Sequence, residues 1–201
     1  MKFISVDYQG DFAKQNGRWY NKRLCEAFIN AELIPFFREK KLKLSEIISD
    51  YRLPRPSETL EYCVPGTEGY ESLIPADIKT DNIWIKCMNS PVWIRDNAGV
   101  ATKPAGQPFS APEEFTSWLK SEIGEPNNEE EIVVFGLTLD CCILCLTQEL
   151  YFRGYKAYIL YEGVDTYMGI PEQKENMFDT PVPLWAKKIT WQEVTKKLEM
   201  K

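Results

Sequence analysis

Three cysteines stand close together near residue 140, where a strand pattern gives way to a helical one. Cys141 and Cys142 occupy the first positions of the helical pattern, and Cys145 follows one turn later. The start of a helix presents unpaired N–H groups and the positive end of the helix dipole, and both favour an anion. A thiol placed there is expected to have a depressed pKa and to be a good nucleophile at neutral pH. The spacing therefore predicts nucleophilic cysteine chemistry, with Cys141 and Cys142 as the two candidates.

The composition restricts how such a thiol could be activated. The 201-residue chain contains no histidine. This absence excludes Cys–His and Ser–His–Asp catalysis, together with every metal site that needs an imidazole ligand. The proton of a reactive thiol must therefore pass to a carboxylate, to an amine or to a water molecule.

The cysteines lie in a strand–helix–strand unit. Residues 132–135 form an apolar, β-branched run typical of a buried parallel strand, and Gly136 ends it. The helical pattern that follows stops at Gly154, and residues 156–161 predict a second buried strand. In a βαβ unit the turn before the helix lies at the carboxyl edge of the sheet, where open α/β sheets bind their ligands.

Two other predicted strands end at charged residues. Residues 2–7 end at Asp7, and residues 82–86 end at Lys86. Since the carboxyl ends of parallel strands share one edge of the sheet, an acid and an amine can converge there on the thiol. Each residue alone has an ordinary structural explanation: an Asp after a strand is often a turn residue, a Lys there is usually solvated, and a Cys at a helix start is often a small buried side chain. Their coincidence in a chain without histidine favours a catalytic site.

The remaining segments continue the alternation of strands and helices. Residues 50–80 are predicted to be a long loop, and residues 163–183 to be irregular with one helical turn. The other expected elements are strands at 44–49 and 186–189, and a helical region at 18–40 in which a short helix breaks near Asn30 and a second helix takes Pro35 in its first turn. Two further helices are expected to start at the capping boxes Ser110–Glu113 and Thr190–Glu193. Together they predict a three-layer α/β/α fold with a mostly parallel, about six-stranded, Rossmann-like sheet, as a single domain over residues 1–201.

Charge and cysteine usage narrow the class of protein. The net charge of −6 and the lack of a basic run argue against a nucleic-acid partner. No apolar run reaches membrane length, and the early Lys2, Asp7 and Asp11 argue against a signal peptide. Three of the six cysteines are crowded together rather than spaced as a disulfide framework, so we expect a reducing, cytoplasmic setting.

Four pieces of the chain resemble the cysteine hydrolases of the isochorismatase-like superfamily. They are FISVDYQGDF near the start, CVPGTEG in the middle, NIWIK, and VVFGLTLDCCILCLTQELYFRGY, of which FGLTLDCC is the most specific. The resemblance implies that Asp7 is the general base, Lys86 its electrostatic partner and Cys142 the nucleophile. It also implies an oxyanion hole from the N–H groups of Thr138 and Cys142, and a cis peptide at Leu137–Thr138.

The resemblance implies a hydrolase that cleaves a C–N bond of a small amide or carbamoyl compound through a thioester on Cys142. Nicotinamidases of this superfamily bind a metal through an Asp and several His. Here Asp50 remains, but Arg52 and Tyr62 stand near the histidine positions, so neither a metal nor another cofactor is expected. Arg52, Arg55 and Arg95 are cations near the cleft that could clamp a carboxylate. The candidate substrate-binding residues are Phe12, Arg52, Tyr62 and Trp93.

Three alternatives stay open beside the amidase. The first is an isochorismatase-type hydrolase acting on a non-amide small molecule. The second is a thiol–disulfide redox protein that uses the C-x-x-C pair Cys142 and Cys145, although the usual flanking residues are missing. The third is a non-catalytic binding module of the same fold. The expected partners are a small-molecule substrate and further copies of the chain, in a dimer or tetramer, with no nucleic acid and no membrane.

Overall fold

The centre of the fold is a six-stranded parallel sheet, in a computed structural model that describes residues 1–127 and 129–200. The described residues form these strands in chain order: β1 Lys2–Val6, β2 Ser45–Ser49, β3 Trp84–Lys86, β4 Trp93–Ile94, β5 Phe109–Ser110, β6 Glu131–Leu137, β7 Lys156–Asp165 and β8 Lys187–Ile189. Strands β4 and β5 form a separate antiparallel pair. The other six confirm the predicted parallel α/β sheet.

The order of strands in the sheet determines where a ligand can bind. The sheet runs β3-β2-β1-β6-β7-β8, so the chain moves outward in one direction from β1 and in the other direction from β6. The strand order thus reverses between β1 and β6. The crevice at the carboxyl ends of two strands where the order reverses is the usual ligand site of an open α/β sheet. Asp7 follows β1 and the cysteine cluster follows β6, so both lie at this crevice.

Helices flank the sheet in the order that the sequence pattern predicts, with some differences in extent. They are α1 Gly10–Ala13, α2 Leu24–Phe28, α3 Ile34–Glu39, α4 Pro112–Glu122, α5 Leu144–Phe152, α6 Pro171–Asp179 and α7 Trp191–Glu199. Wider π-helical turns precede α3 and α5, at Ile29–Leu33 and Leu139–Ile143. The predicted capping box of α7 is present, because Thr190 and Glu193 exchange hydrogen bonds at its start.

Two expectations about helices were wrong, and one was confirmed in part. The short helix α2 and the second helix α3, with Pro35 in its first turn, are present as expected, but a π-helical turn joins them where a break was expected near Asn30, and residues 18–23 are not helical. Helix α4 begins after Ala111 without a side-chain cap, since Ser110 pairs with Trp93 in the β4–β5 pair. Helix α6 has nine residues where an irregular segment was expected, because few apolar residues mark its buried face.

The two central strands approach closely because of one glycine. Gly136 in β6 has a φ of +116°, and a Cβ atom there would collide with the carbonyl oxygen of Val6 in β1. Both strands are almost completely buried between the helical layers. The backbone that carries Asp7 and the backbone that leads to Cys142 therefore run side by side. Within the described residues, no helix is both long and apolar enough to cross a bilayer.

Candidate active site

An acid, an amine and a thiol meet at the carboxyl edge of the sheet. The Nζ atom of Lys86 lies 2.8 Å from Oδ2 of Asp7 and 3.4 Å from Sγ of Cys142. The three residues are 0%, 1% and 5% exposed for Asp7, Lys86 and Cys142 respectively. Lys86 ends β3, two strands away from β1, and its long side chain reaches across β2 to the crevice. The structure therefore brings together the three side chains that the strand ends point to.

The carboxylate of Asp7 is held in a constrained position. Its backbone has a φ of +50°, in the left-handed region that Asp tolerates better than most residues. Ser49 Oγ donates to Asp7 Oδ1 at 2.8 Å. Gln9 in turn fixes Ser49, since its side-chain amide accepts from Ser49 N at 2.7 Å and donates to Ser49 O at 3.0 Å. Strained backbone held by its surroundings in this way is common at functional sites.

Two hydroxyl groups that the sequence reasoning missed complete this network. Lys86 Nζ donates to Ser49 Oγ at 2.7 Å and to Tyr51 Oη at 2.6 Å. Tyr51 Oη also lies 3.5 Å from Cys142 Sγ. Ser49 and Tyr51 are two residues apart at the end of the predicted strand 44–49, and this alternation could have indicated that they share a side.

The ammonium of Lys86 orients both hydroxyls. An ammonium only donates hydrogen bonds, so each hydroxyl accepts from Lys86 and has its own proton left for another acceptor. Ser49 gives that proton to Asp7. Tyr51 faces Cys142 Sγ and Asn89 Oδ1, both at 3.5 Å, which is an ordinary distance for sulfur but long for oxygen. Tyr51 is therefore oriented to donate to a thiolate on Cys142.

The charges of the network keep its donors protonated. Burial lowers the pKa of Lys86, but Asp7 and Cys142 outweigh that effect and hold the pKa above its ordinary value. Lys86 thus remains an ammonium at neutral pH. Burial also raises the pKa of Tyr51 well above its usual range, so Tyr51 remains a hydrogen-bond donor.

The adjacent thiols of Cys141 and Cys142 affect each other's ionisation. Their mutual interaction raises the pKa of Cys142, burial raises it further, and Lys86 acts in the opposite direction. The same interaction lowers the pKa of Cys141. The depressed pKa expected at this helix start therefore holds for Cys141 and not for Cys142, because the hydrogen bond between the two thiols favours the thiolate of Cys141 and burial further opposes that of Cys142. Two coupled thiols share their first ionisation, so contacts rather than pKa distinguish the nucleophile.

A cavity of about 380 Å³ opens above Cys142. Five aromatic side chains form much of its wall, and the backbone after β6 forms its floor. The peptide bond Leu137–Thr138 is cis, as the resemblance implied. The lining residues are Phe12, Trp19, Tyr51, Glu58, Tyr62, Asn89, Leu137, Thr138, Asp140, Cys141, Cys142 and Tyr167.

The structure supports only two of the four predicted substrate-binding residues as lining residues. Phe12 and Tyr62 line the cavity, whereas Arg52 and Trp93 do not. Arg52 instead forms a bidentate ion pair with Asp50, in which Nη2 lies 2.6 Å from Oδ2 and Nε lies 2.9 Å from Oδ1. Its guanidinium also donates to loop carbonyls such as Asn97 O. Trp93 lies in β4, paired with β5. Contrary to the expectation, Arg52 and Trp93 therefore lie outside the lining of this cavity, because Asp50 and the loop carbonyls hold Arg52 and the β4–β5 pair holds Trp93.

The other two arginines near the cleft are also engaged. Arg95 is buried and donates to the carbonyl oxygen of Pro54 at 3.1 Å. Arg55 is buried behind the aromatic wall, with its guanidinium 4.5 Å from the ring centre of Tyr51 and 4.8 Å from that of Tyr62. Within residues 1–127 and 129–200, no lysine or arginine lines the cavity. The expected arginine clamp for a carboxylate is therefore not formed by the lining residues.

Comparison with known proteins identifies the fold. No family model matches the sequence, and no curated protein matches it. Solved structures match nearly end to end. An isochorismatase-like hydrolase from Alkaliphilus metalliredigens is similar with a TM-score of 0.66 at 16% identity, covering 98% of this chain and 99% of that one.

Two amidase structures are similar in the same way. N-carbamoylsarcosine amidase from Thermoplasma acidophilum has a TM-score of 0.60 at 15% identity, with 94% of this chain and 96% of that one covered. Pyrazinamidase of Pyrococcus horikoshii, solved in complex with zinc, has a TM-score of 0.62 at 18% identity, with 94% and 98% covered. The chain therefore has the isochorismatase-like hydrolase fold that the sequence resemblance implied.

The zinc of that pyrazinamidase raises the question of whether this chain could hold a metal. Asp50 is the remaining candidate ligand, but Arg52 occupies both of its oxygens and Gly99 N donates to one of them at 3.0 Å. The chain has no histidine, and the described residues contain no group of three or more Cys, Asp or Glu arranged to hold a metal ion. The residues present do not fit a metal, because a guanidinium already neutralises the candidate carboxylate.

Proposed function

We propose that this chain, which has the isochorismatase-like hydrolase fold, is a cysteine-dependent amidase that cleaves the C–N bond of a small amide or carbamoyl compound. The observation that carries the proposal is the single ammonium of Lys86, which contacts Asp7 and Cys142 together at the base of a cavity. The amidases among the similar structures support the same reaction class. A cavity of this size suits a small substrate.

In the first step, Cys142 attacks the amide carbonyl. The thiol proton passes to Asp7, whose Oδ2 faces Lys86 while Oδ1 is occupied by Ser49. Sulfur forms a bond to the carbonyl carbon, and the electron pair of the C=O π bond moves to oxygen. The N–H groups of Thr138 and Cys142 stabilise that oxyanion, and one such donor typically contributes ~3 kcal/mol. Lys86 and Tyr51 stabilise the thiolate before it attacks.

In the second step, Asp7 acts first as an acid and then as a base. It returns its proton to the leaving nitrogen, the C–N bond breaks, and an amine or ammonia departs from a thioester on Cys142. Asp7 then accepts a proton from water as the water attacks the thioester carbonyl. The carboxylic acid leaves, and Cys142 regains its proton from Asp7.

The redox alternative fits the site less well than hydrolysis. A thiol–disulfide protein needs a second reactive thiol beside the first, and Cys145 would have to supply it. Cys145 does not line the cavity, and burial raises its pKa to about 11 without the contact to Lys86 that Cys142 has. A purely binding role leaves the buried ion pair of Asp7 and Lys86 unexplained, because burying two charges is costly.

The proposal is tested by a screen of small amides, ureas and carbamoyl compounds for ammonia release, combined with mass spectrometry of the quenched enzyme. We expect turnover with at least one compound and a mass increase on Cys142 equal to its acyl group. Turnover without any acylated Cys142, or turnover retained by Cys142→Ala, would contradict the covalent mechanism. A homo-oligomer and a cytoplasmic location stay predictions, and sedimentation velocity measures the first.

A further inference from the structure

The cavity above Cys142 is lined by the faces and edges of five aromatic rings. Trp19 is central among them, with ring centres 5.2 Å from Tyr62 and 5.8 Å from Tyr167, at interplanar angles of 58° and 60°. Phe12 meets Tyr62 at 87° and 5.8 Å. Because these rings are tilted against each other, their electron-rich faces point in several directions along the wall of the cavity. This is the arrangement in which aromatic side chains bind an alkylammonium group.

The charged residues that line the cavity are both acidic. They are Glu58 and Asp140, and no lysine or arginine of the described residues lies beside them on the wall. A substrate carboxylate would meet two carboxylates there and no cation to bind it. An ammonium group would instead find carboxylates of opposite charge next to aromatic faces.

Three of the nearby cations are compensated by a carboxylate, whereas the buried Arg95 lies outside the lining of the cavity and donates to the carbonyl oxygen of Pro54. Lys86 contacts Asp7 at 2.8 Å. Arg55, behind the rings, lies 3.8 Å from Glu58, and Arg23 lies 3.3 Å from Glu26.

Among the residues that the structure describes, no lysine or arginine forms an ion pair with Asp140. Its two oxygens accept from the backbone N–H of Tyr167 at 3.0 and 3.2 Å, and that neutral donor leaves the negative charge in place. The residues that line the cavity therefore carry a net negative charge, to which Asp140 contributes. Arg23 and Arg55 also show that these rings accept cations, since each guanidinium lies over a wall tyrosine.

We propose that the amide cleaved by this site carries a positively charged alkylammonium group, which the aromatic cavity binds while Cys142 holds the carbonyl. This inference rests on the proposed amidase function and adds the charge of its substrate. The ammonium group lies among Trp19, Tyr62 and Tyr167, and Asp140 provides the opposite charge. Asp140 repels a substrate carboxylate in the same place, and Glu58 contributes less because Arg55 lies 3.8 Å from it.

Thiol labelling tests the charge preference without a known substrate. Three methanethiosulfonate reagents are compared, with trimethylammonioethyl, methyl and sulfonatoethyl groups, and each rate at Cys142 is followed by peptide mass spectrometry. The thiolate attacks the sulfenyl sulfur, a mixed disulfide forms, and methanesulfinate leaves with the bonding pair. After division by the rate with a small neutral thiol, we expect the cationic reagent to be at least about tenfold faster than the anionic one.

Substitutions of residues that line the cavity distinguish the contribution of the aromatic rings to the labelling rates from that of the acidic side chains. Trp19→Leu should slow the cationic reagent by about 2- to 30-fold, the range of one cation–π contact, and change the neutral reagent much less. Asp140→Asn should lower the cationic-to-anionic ratio while keeping an acceptor for Tyr167. Glu114→Gln removes the same charge from an exposed position in α4 and should leave the ratio unchanged.

Turnover provides the second arm of the test. Betaine amide and 3,3-dimethylbutanamide have the same shape and differ in one positive charge, and malonamate carries a negative charge instead. We expect kcat/KM to be highest for betaine amide. Equal or faster reaction of the anionic reagent, or a preference for the neutral amide, would overturn the charge proposal while leaving the amidase intact. A Cys142 that reacts with none of the reagents would overturn both proposals.

Discussion

Tyr51→Phe removes one oxygen atom from the centre of the network. The Phe ring keeps the shape of the buried side chain and its contact with Arg55, 4.5 Å from the ring centre. What is lost is the donor 3.5 Å from Cys142 Sγ and one acceptor of Lys86. Lys86 retains Ser49 and Asp7 as partners, so the ammonium stays paired. The substitution therefore tests the hydroxyl alone.

The expected magnitude follows from the charge of the thiolate. A hydrogen bond to a charged group contributes about 1.5–3 kcal/mol. Loss of a donor destabilises the thiolate relative to the thiol, so the pKa of Cys142 should rise by about one to two pH units. At a fixed pH below that pKa, labelling of Cys142 should slow by about 10- to 100-fold, and kcat/KM for any amide substrate should fall in parallel.

The assay is the pH dependence of iodoacetamide labelling at Cys142, followed by peptide mass spectrometry. The control is Tyr155→Phe, which removes another buried tyrosine hydroxyl, one that donates to Gly124 O at 2.8 Å far from the thiols. We expect Tyr155→Phe to lower thermal stability and to leave the labelling midpoint unchanged. A midpoint for Tyr51→Phe that matches the wild-type value would refute the idea that this hydroxyl supports the thiolate.

Three further outcomes are expected. Cys142→Ala should abolish thioester formation and Cys141→Ala should retain it, as intact-mass measurements on quenched reactions will show; an acylated Cys142→Ala would reverse the assignment. Asp7→Asn should slow turnover by at least ~10²-fold, the usual cost of a lost general base, while circular dichroism checks that the fold is kept. Exhaustive chelation should leave turnover unchanged, because Arg52 occupies the carboxylate of Asp50; loss of activity that zinc or iron restores would contradict this.

The sequence indicated the three central side chains because their positions follow from topology. Asp7 and Lys86 end strand patterns, the cysteines follow the turn after another, and parallel strands end at one edge of a sheet. Topology left Cys141 and Cys142 both open, and the family resemblance selected Cys142. Ser49 and Tyr51 belong to the same edge but were missed. A hydroxyl at a strand end is usually a turn residue, and nothing in the local pattern shows that a lysine at the end of the neighbouring strand will donate to it.

Arg52 illustrates why a charged loop residue is hard to interpret from sequence. A guanidinium near a cleft suits a substrate carboxylate, but it suits a buried carboxylate of the chain equally well. Here the partner is Asp50, two residues earlier, and the pair is completed by carbonyls from residues 97–103. Only the folded loop brings those carbonyls into place, so the sequence could not distinguish the two roles.

Because the chain has no histidine, the charged groups beside Cys142 are a carboxylate and an ammonium. A buried carboxylate and a buried ammonium each lose several kcal/mol of hydration, and pairing them restores that energy only when their remaining donors and acceptors are also satisfied. Ser49 and Tyr51 meet this need for Lys86, and Ser49 meets it for Asp7. The hydroxyls that satisfy the ion pair are thereby turned toward the base and the nucleophile. In Tyr51→Phe, Lys86 keeps its contacts with Ser49, Asp7 and Cys142, whereas Cys142 loses the hydroxyl that faces it. The effect of this substitution should therefore appear in thiol ionisation before it appears in unfolding.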